Sequence, residues 1–149
     1  MMEIRPITAA ETRWLRHVLL RPRDKPEDLV YPGDDARDSL HVGAFTEGSL
    51  VGIASVSRRP VPDGSEKRAW QIRGMATVPE LRRRGCGRAL VEACIAHAAQ
   101  AGGRSVWCYA RAAAVGFYEA CGFKTRGREF QIPGIGPHFL MLIDTSKQG

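Results

Sequence analysis

The sequence predicts an α/β domain, a mixed sheet with helices on both faces. Three observations carry this. The 149 residues are 44% hydrophobic and 26% charged, which suits one compact globular domain, 1–149, with an ordinary core. Apolar spacing alternates between the strand and helix periods, in the order strand, helix, three strands, helix, strand, helix, two strands. A strand also runs through Val78-Pro79 into an arginine-rich turn, from which Gly85 and Gly87 open a long helix.

Each element has a local reason. Residues 3–7 suit a short first strand, and Thr8 with Glu11 forms a capping box for the helix behind it. Trp14, Leu15, Val18 and Leu19 then repeat at helical spacing as one apolar stripe, ending before Pro22. Residues 21–38 are rich in Pro, Asp and Arg and form the longest irregular segment, with a short helix near 27–31; such loops are often functional. Residues 41–45 and 50–57 read as a hairpin around Glu47-Gly48-Ser49. Residues 61–67 are a polar turn, and 70–78 form the next strand, closed by Pro79.

The long helix covers 85–101. Leu90, Val91, Cys94, Ile95 and Ala98 lie on one face, and Gly102-Gly103 ends it. A buried-type strand at 105–109, a second helix at 112–121 stopped by Gly122, and strands at 123–132 and 138–143 complete the chain.

Composition narrows the partners. A net charge of +6 and a pI near 9.5 favour anionic ligands. The four cysteines, Cys86, Cys94, Cys108 and Cys121, make no CxxC pair and have no histidine at zinc spacing, so no metal site is expected. They suit reduced thiols in a cytoplasmic protein. No secretory signal and no membrane-spanning apolar run is visible.

Residues 75–88, MATVPELRRRGCGR, are the most informative stretch. The first turn of a helix has N–H groups without intrahelical partners, and the helix dipole adds positive charge there. Glycines let a ligand approach the backbone closely. Together with Arg82, Arg83 and Arg84 these make an anion site suited to a pyrophosphate. The alternative is a glycine-rich turn with a solvated basic face. There is no GxxxxGK[ST] and no dinucleotide GxGxxG context. Nucleic acid is not expected either, since no stacking-aromatic motif or recognition helix accompanies the arginines.

This stretch resembles the cofactor motif of the GNAT superfamily of N-acetyltransferases, Q/R-x-x-G-x-G/A, with Arg82, Gly85 and Gly87 at its fixed positions. A second stretch, Ala114 to Phe123, resembles the family's A-x-x-F-Y-x-x-x-G-F pattern through Ala114, Phe117, Tyr118, Gly122 and Phe123. The two motifs cover the C-terminal half; the N-terminal half matches only in its order of elements. The resemblance implies the GNAT (acyl-CoA N-acyltransferase) fold, whose central sheet is mixed, mostly antiparallel and splayed open in the middle. It implies acetyl-CoA (coenzyme A) as cofactor, and transfer of an acetyl group to a primary amine by direct attack in a ternary complex. A non-catalytic acyl-CoA-binding module of the same fold is the alternative.

By the same resemblance, the main chain of Arg83, Arg84, Gly85, Cys86, Gly87 and Arg88 holds the pyrophosphate. Met75, Ala76 and Thr77 line the arm of the cofactor, which adds to the sheet like a strand. Tyr118 donates a proton to the departing thiolate; otherwise it merely packs. Arg111 stands where many members carry Asn, and could reach a phosphate or cap the helix region. The general base is not evident. His138 is the first candidate, because a neutral imidazole suits the pH range, and Glu129 the second; either could be structural. His41 and His97 read as structural or exposed. Cys86 and Cys108 read as core thiols, since a ping-pong route needs an activated thiolate with a paired base.

The acceptor, a small-molecule or peptide amine, would meet residues 21–38, the first helix and the 133–137 connection. Tyr31 and Asp34-Asp35 could greet a cationic amine or form a solvated turn. The apolar last strand could pair across a homodimer.

Overall fold

The computed structural model describes residues 2–147. Seven strands form one sheet in the order β1-β2-β3-β4-β5-β7-β6. They are β1 (Met2–Ile7), β2 (Leu40–Thr46), β3 (Ser49–Arg58), β4 (Ala69–Thr77), β5 (Ser105–Arg111), β6 (Lys124–Ile132) and β7 (Gly136–Asp144). Only β4 and β5 are parallel; every other pair is antiparallel. The helices are α1 (Ala9–Leu15), α2 (Cys86–Gln100) and α3 (Val115–Ala120).

Strand alternation puts the helices on opposite faces. Val42, Ala44, Ala54 and Val56 turn towards α2 and join Leu90, Val91, Cys94 and Ile95 in the main core. Ile53 and Ala76 turn the other way and pack with Leu15 of α1. The capping box at Thr8 and Glu11 is present in both directions.

Three expectations need correction. Leu15 is buried, but Trp14 and Val18 are 63% and 45% exposed. The inward residues are Thr12 and Leu15 of α1 and then Arg16, where the helix widens into a π-helical turn over Arg16–Leu20 that rotates the later side chains off the expected stripe. The last strand, β7, lies between β5 and β6 and has no free edge to offer a second copy; the edges are β1 and β6. Asp34 is not part of a solvated turn. It is buried and chelates Arg16, with Nη1–Oδ2 at 2.7 Å and Nη2–Oδ1 at 3.0 Å.

The feature that shapes the site is the end of the β4–β5 pairing. Ala69, Trp70 and Gln71 pair with Ser105, Val106 and Trp107, and the ladder stops there. Across the other edge of β4, Ser55 opposes Arg73 while Ile53 opposes Ala76, so β4 carries one residue more than β3 in this interval. The extra residue is a bulge, and Gly74 within it has φ +62°, as a bulge glycine does. A bulge bends its strand; here β4 stays with β3 and leaves β5. Residues beyond Gln71 on β4 therefore present main-chain groups to a gap rather than to a neighbouring strand.

Candidate active site

Residues from both faces of the sheet line one cavity of about 540 Å³ at this gap. Cys108 and Tyr109 are consecutive on β5 and so point to opposite faces, yet both line it. The cavity thus passes through the sheet between β4 and β5. A larger depression of about 710 Å³ is bounded by Ser105 and Asp144, at the end where the strands are still paired, and holds none of the expected site residues.

Tyr118 of α3 lines the cavity and is 7% exposed. Its hydroxyl faces the thiol of Cys108. Phe117 and Phe123 hold the ring edge-on, at 5.0 and 5.3 Å between centroids. Burial first, and then the thiols of Cys108, Cys94 and Cys121, push the phenol well above its usual pKa, so it stays protonated and able to donate. Burial likewise pushes Cys108 above the ordinary thiol range, with Tyr118 opposing the change only in part, and Cys86 also rises through burial. Neither is an activated thiolate.

His138 lines the same cavity and is 4% exposed. Its Nδ1 lies 2.8 Å from the carbonyl of Gly136. A carbonyl only accepts, so Nδ1 carries the proton and a neutral ring keeps its lone pair on Nε2. Phe130 backs the ring at 6.0 Å. Glu129 is exposed on β6 and does not line the cavity. Of the other histidines, His41 is buried between Ser55 and the Asp34 carbonyl, and His97 bonds the Asp38 carbonyl. Both are structural.

Arg111 closes β5 at the cavity and donates through Nη2 to the Leu20 carbonyl at 3.0 Å. It ties the sheet to the end of the first helical segment rather than capping α3. Met75 lines the cavity, while Ala76 and Thr77 are buried on the strand behind it.

The opening of α2 has the donor set a diphosphate needs. Leu81 and Arg82 amides turn back to Val78 and Pro79, and the first intrahelical bond runs from Ala89 to Gly85, 3.0 Å. Helix geometry leaves the amides of Cys86, Gly87 and Arg88 ahead of that bond without an intrahelical acceptor. Gly85, the N-cap, has φ +83° and nothing within 4 Å of a Cβ placed there, so its face is open. Arg82, Arg83 and Arg84 are exposed, with no ion pair to a carboxylate among the described residues. Arg88 is different: it bonds the Ala120 carbonyl and faces Glu92, tying α2 to α3. Gly87 also has a packing role, since a Cβ there would stand 3.0 Å from the Phe117 ring.

These observations decide the family. The family model described as "Acetyltransferase (GNAT) family" matches residues 7–123. The chain belongs to the GNAT acetyltransferase family. It is 38% identical over 141 residues, 95% of each chain, to the uncharacterized N-acetyltransferase YitI of Bacillus subtilis (strain 168). Among solved structures, Escherichia coli ElaA superimposes with a TM-score of 0.73 at 20% identity, covering 95% of this chain and 99% of that one. An aminoglycoside 6'-N-acetyltransferase complexed with coenzyme A gives a TM-score of 0.73 at 14% identity, with 96% and 97% covered; these two show the shared fold. This GNAT chain is an acyltransferase with acetyl-CoA as its acyl donor.

The sequence missed two contributors to the site. Arg16 lies under Tyr31, its guanidinium carbon 4.0 Å from the ring centroid, and Arg73 reaches the same ring at 4.3 Å. The available signal was an arginine four residues after Thr12 on the inward side of a helix, and another on a central strand.

Proposed function

We propose that the protein acetylates a primary amine by direct attack within a ternary complex, as one domain built on a single sheet. The observation that carries this reading is the cavity through the β4–β5 gap, with Tyr118 and His138 both on its wall. A donor and an acceptor entering from opposite faces would meet there.

The residues fit the cofactor. Amides from Arg83 to Arg88 would hold the diphosphate, with the exposed arginines adding long-range attraction. The unpaired edge of β4 at Met75, Ala76 and Thr77 would hold the arm as an added strand. Once bound, the cofactor supplies an activated acyl group as a thioester. Arg111 is held by Leu20, and this supports a wall role over a phosphate contact.

His138, with Nε2 as its basic nitrogen, would take the proton from the incoming ammonium. Tyr118, kept protonated by burial, would give its proton to the departing sulfur. That protonated phenol on the cavity wall supports catalysis over a mere binding role. The four free cysteines suit a reducing compartment such as the cytoplasm, and no helix among the described residues is long and apolar enough to cross a membrane.

An amine panel with acetyl-CoA, read by release of free thiol, tests this. Turnover with at least one primary amine supports the reading. Coenzyme A binding without turnover of any amine would leave only the binding module.

A further inference from the structure

We propose that the amine acceptor carries an anionic group, a carboxylate or phosphate, and that Arg73 holds it from the α1 side of the cavity. This deepens the acetyltransferase reading and rests on it.

The charged side chains lining the cavity are Arg21, Arg59, Arg73 and Arg111, with no Asp or Glu among them. A cavity that took a polycation would need carboxylates on its wall, because unpaired like charges at short range repel. The nearest candidate, Asp34, is already occupied. Its two oxygens chelate Arg16, and Oδ2 also accepts the Tyr31 N–H at 2.9 Å. Arg16 is fully buried, with further bonds to the Leu29 carbonyl at 2.9 Å and Ser55 Oγ at 3.0 Å. Its charge is matched inside the protein.

Arg73 is not matched. Among the described residues it makes no ion pair and no side-chain hydrogen bond; its contact is the Tyr31 ring at 4.3 Å. Arg21 pairs with Asp24 at 2.9 Å, Arg111 bonds Leu20, and Arg59 stands exposed. Burial lowers the pKa of Arg73, with Tyr31 and the charge of Asp34 partly opposing the change and Arg16 and Arg59 adding to it; Asp34 acts on it only at a distance, since both its oxygens are bonded to Arg16. The group nevertheless stays cationic at any ordinary pH. A half-buried guanidinium with a free fork at the wall of a cavity suits a planar carboxylate or a phosphate. Tyr31, anchored through its own N–H to Asp34, fixes where that fork lies.

The test compares matched amines: an α-amino acid against its amide, 2-aminoethyl phosphate against ethanolamine, and a linear diamine. Thiol release and calorimetric binding to the coenzyme A complex are both measured. The anion-bearing member of a pair should lead by about tenfold or more in kcat/KM or in affinity, the range of one charge-assisted hydrogen-bond set. Which pair shows the lead tells carboxylate from phosphate. Arg73→Gln should raise KM for that amine and erase the lead, and Arg73→Lys should restore part of it. Coenzyme A affinity, unchanged within about twofold, reports that each variant is folded. A lead for the diamine or the neutral amines, no binding of either anionic amine, or a lead that survives Arg73→Gln overturns the proposal. Failure of the wild-type protein to bind coenzyme A would instead contradict the acetyltransferase reading beneath it.

Discussion

Asp34 closes a two-point chelate on Arg16 across 18 residues of chain, at 2.7 and 3.0 Å, with both side chains buried. The pair is completed by Ser55, which accepts from Arg16 and lies 2.7 Å from His41 Nδ1, while His41 Nε2 lies 2.9 Å from the Asp34 carbonyl. It pins the irregular segment between α1 and β2 onto the sheet and sets Tyr31 at the cavity.

Removing the carboxylate should therefore be expensive. Asp34→Ala leaves a buried guanidinium without its partner, a change of about 3–5 kcal/mol. For a domain of this size the melting temperature should fall by roughly 10 °C. Thermal unfolding of the variant checks this, and a loss too small to resolve would mean that the pair is solvated in solution.

The same pair sets an acid limit on stability. Burial raises the Asp34 pKa, but the Arg16 hydrogen bonds, the Tyr31 amide and the nearby positive charges outweigh it, and the net shift is downward. A carboxyl with a lowered folded pKa stabilises fully above its unfolded value near 3.9, and this contribution is lost as pH falls through the folded value. Melting temperatures of the wild type should thus drop steeply below about pH 4, with Asp34→Asn showing a shallower drop.

Tyr118→Phe keeps the ring and removes the acid. Turnover should fall by about 10²–10⁴-fold, the usual worth of a general acid, with coenzyme A affinity little changed. Since the phenol is raised well above its ordinary value, the protonated form persists as pH rises. Tyr118 should impose no alkaline fall in kcat below about pH 10. A pH–rate profile of the wild type and the variant reads both effects.

Cys108 should not carry the acyl group. Its thiol is buried and raised, so mixing the protein with acetyl-CoA alone should give no stoichiometric burst of free thiol. A burst of one equivalent that disappears in Cys108→Ala would demonstrate the ping-pong route.

Gly87 serves packing as well as the anion site. Gly87→Ala pushes a methyl into the Phe117 ring at 3.0 Å and should cost about 1–3 kcal/mol by overpacking. Adding Phe117→Leu should recover stability. If it recovers none, the strain lies in the α2 opening itself.

The fold was legible where the information is local. The capping box, the Glu47–Gly48 hairpin and the apolar face of α2 each lie within one short window, and all three are present. The two motifs likewise brought Tyr118 and the α2 opening into view. What stayed hidden depends on distant partners. Arg16 faces inward because Asp34, Leu29 and Ser55 await it, and no helical period encodes that. The place of β7 was partly readable: residues 138–143 are far more apolar than 124–129, as a central strand is beside an edge strand. The free charge of Arg73 follows only once Asp34 is known to be occupied.

On this reading the opening amides of α2 grip a diphosphate beside the β4–β5 gap. A crystal structure of the protein with coenzyme A tests it most directly. Diphosphate oxygens should lie about 2.7–3.2 Å from amides between Arg83 and Arg88, with the arm entering the gap alongside Met75. Density for the nucleotide elsewhere, with that helix end bare, would contradict it.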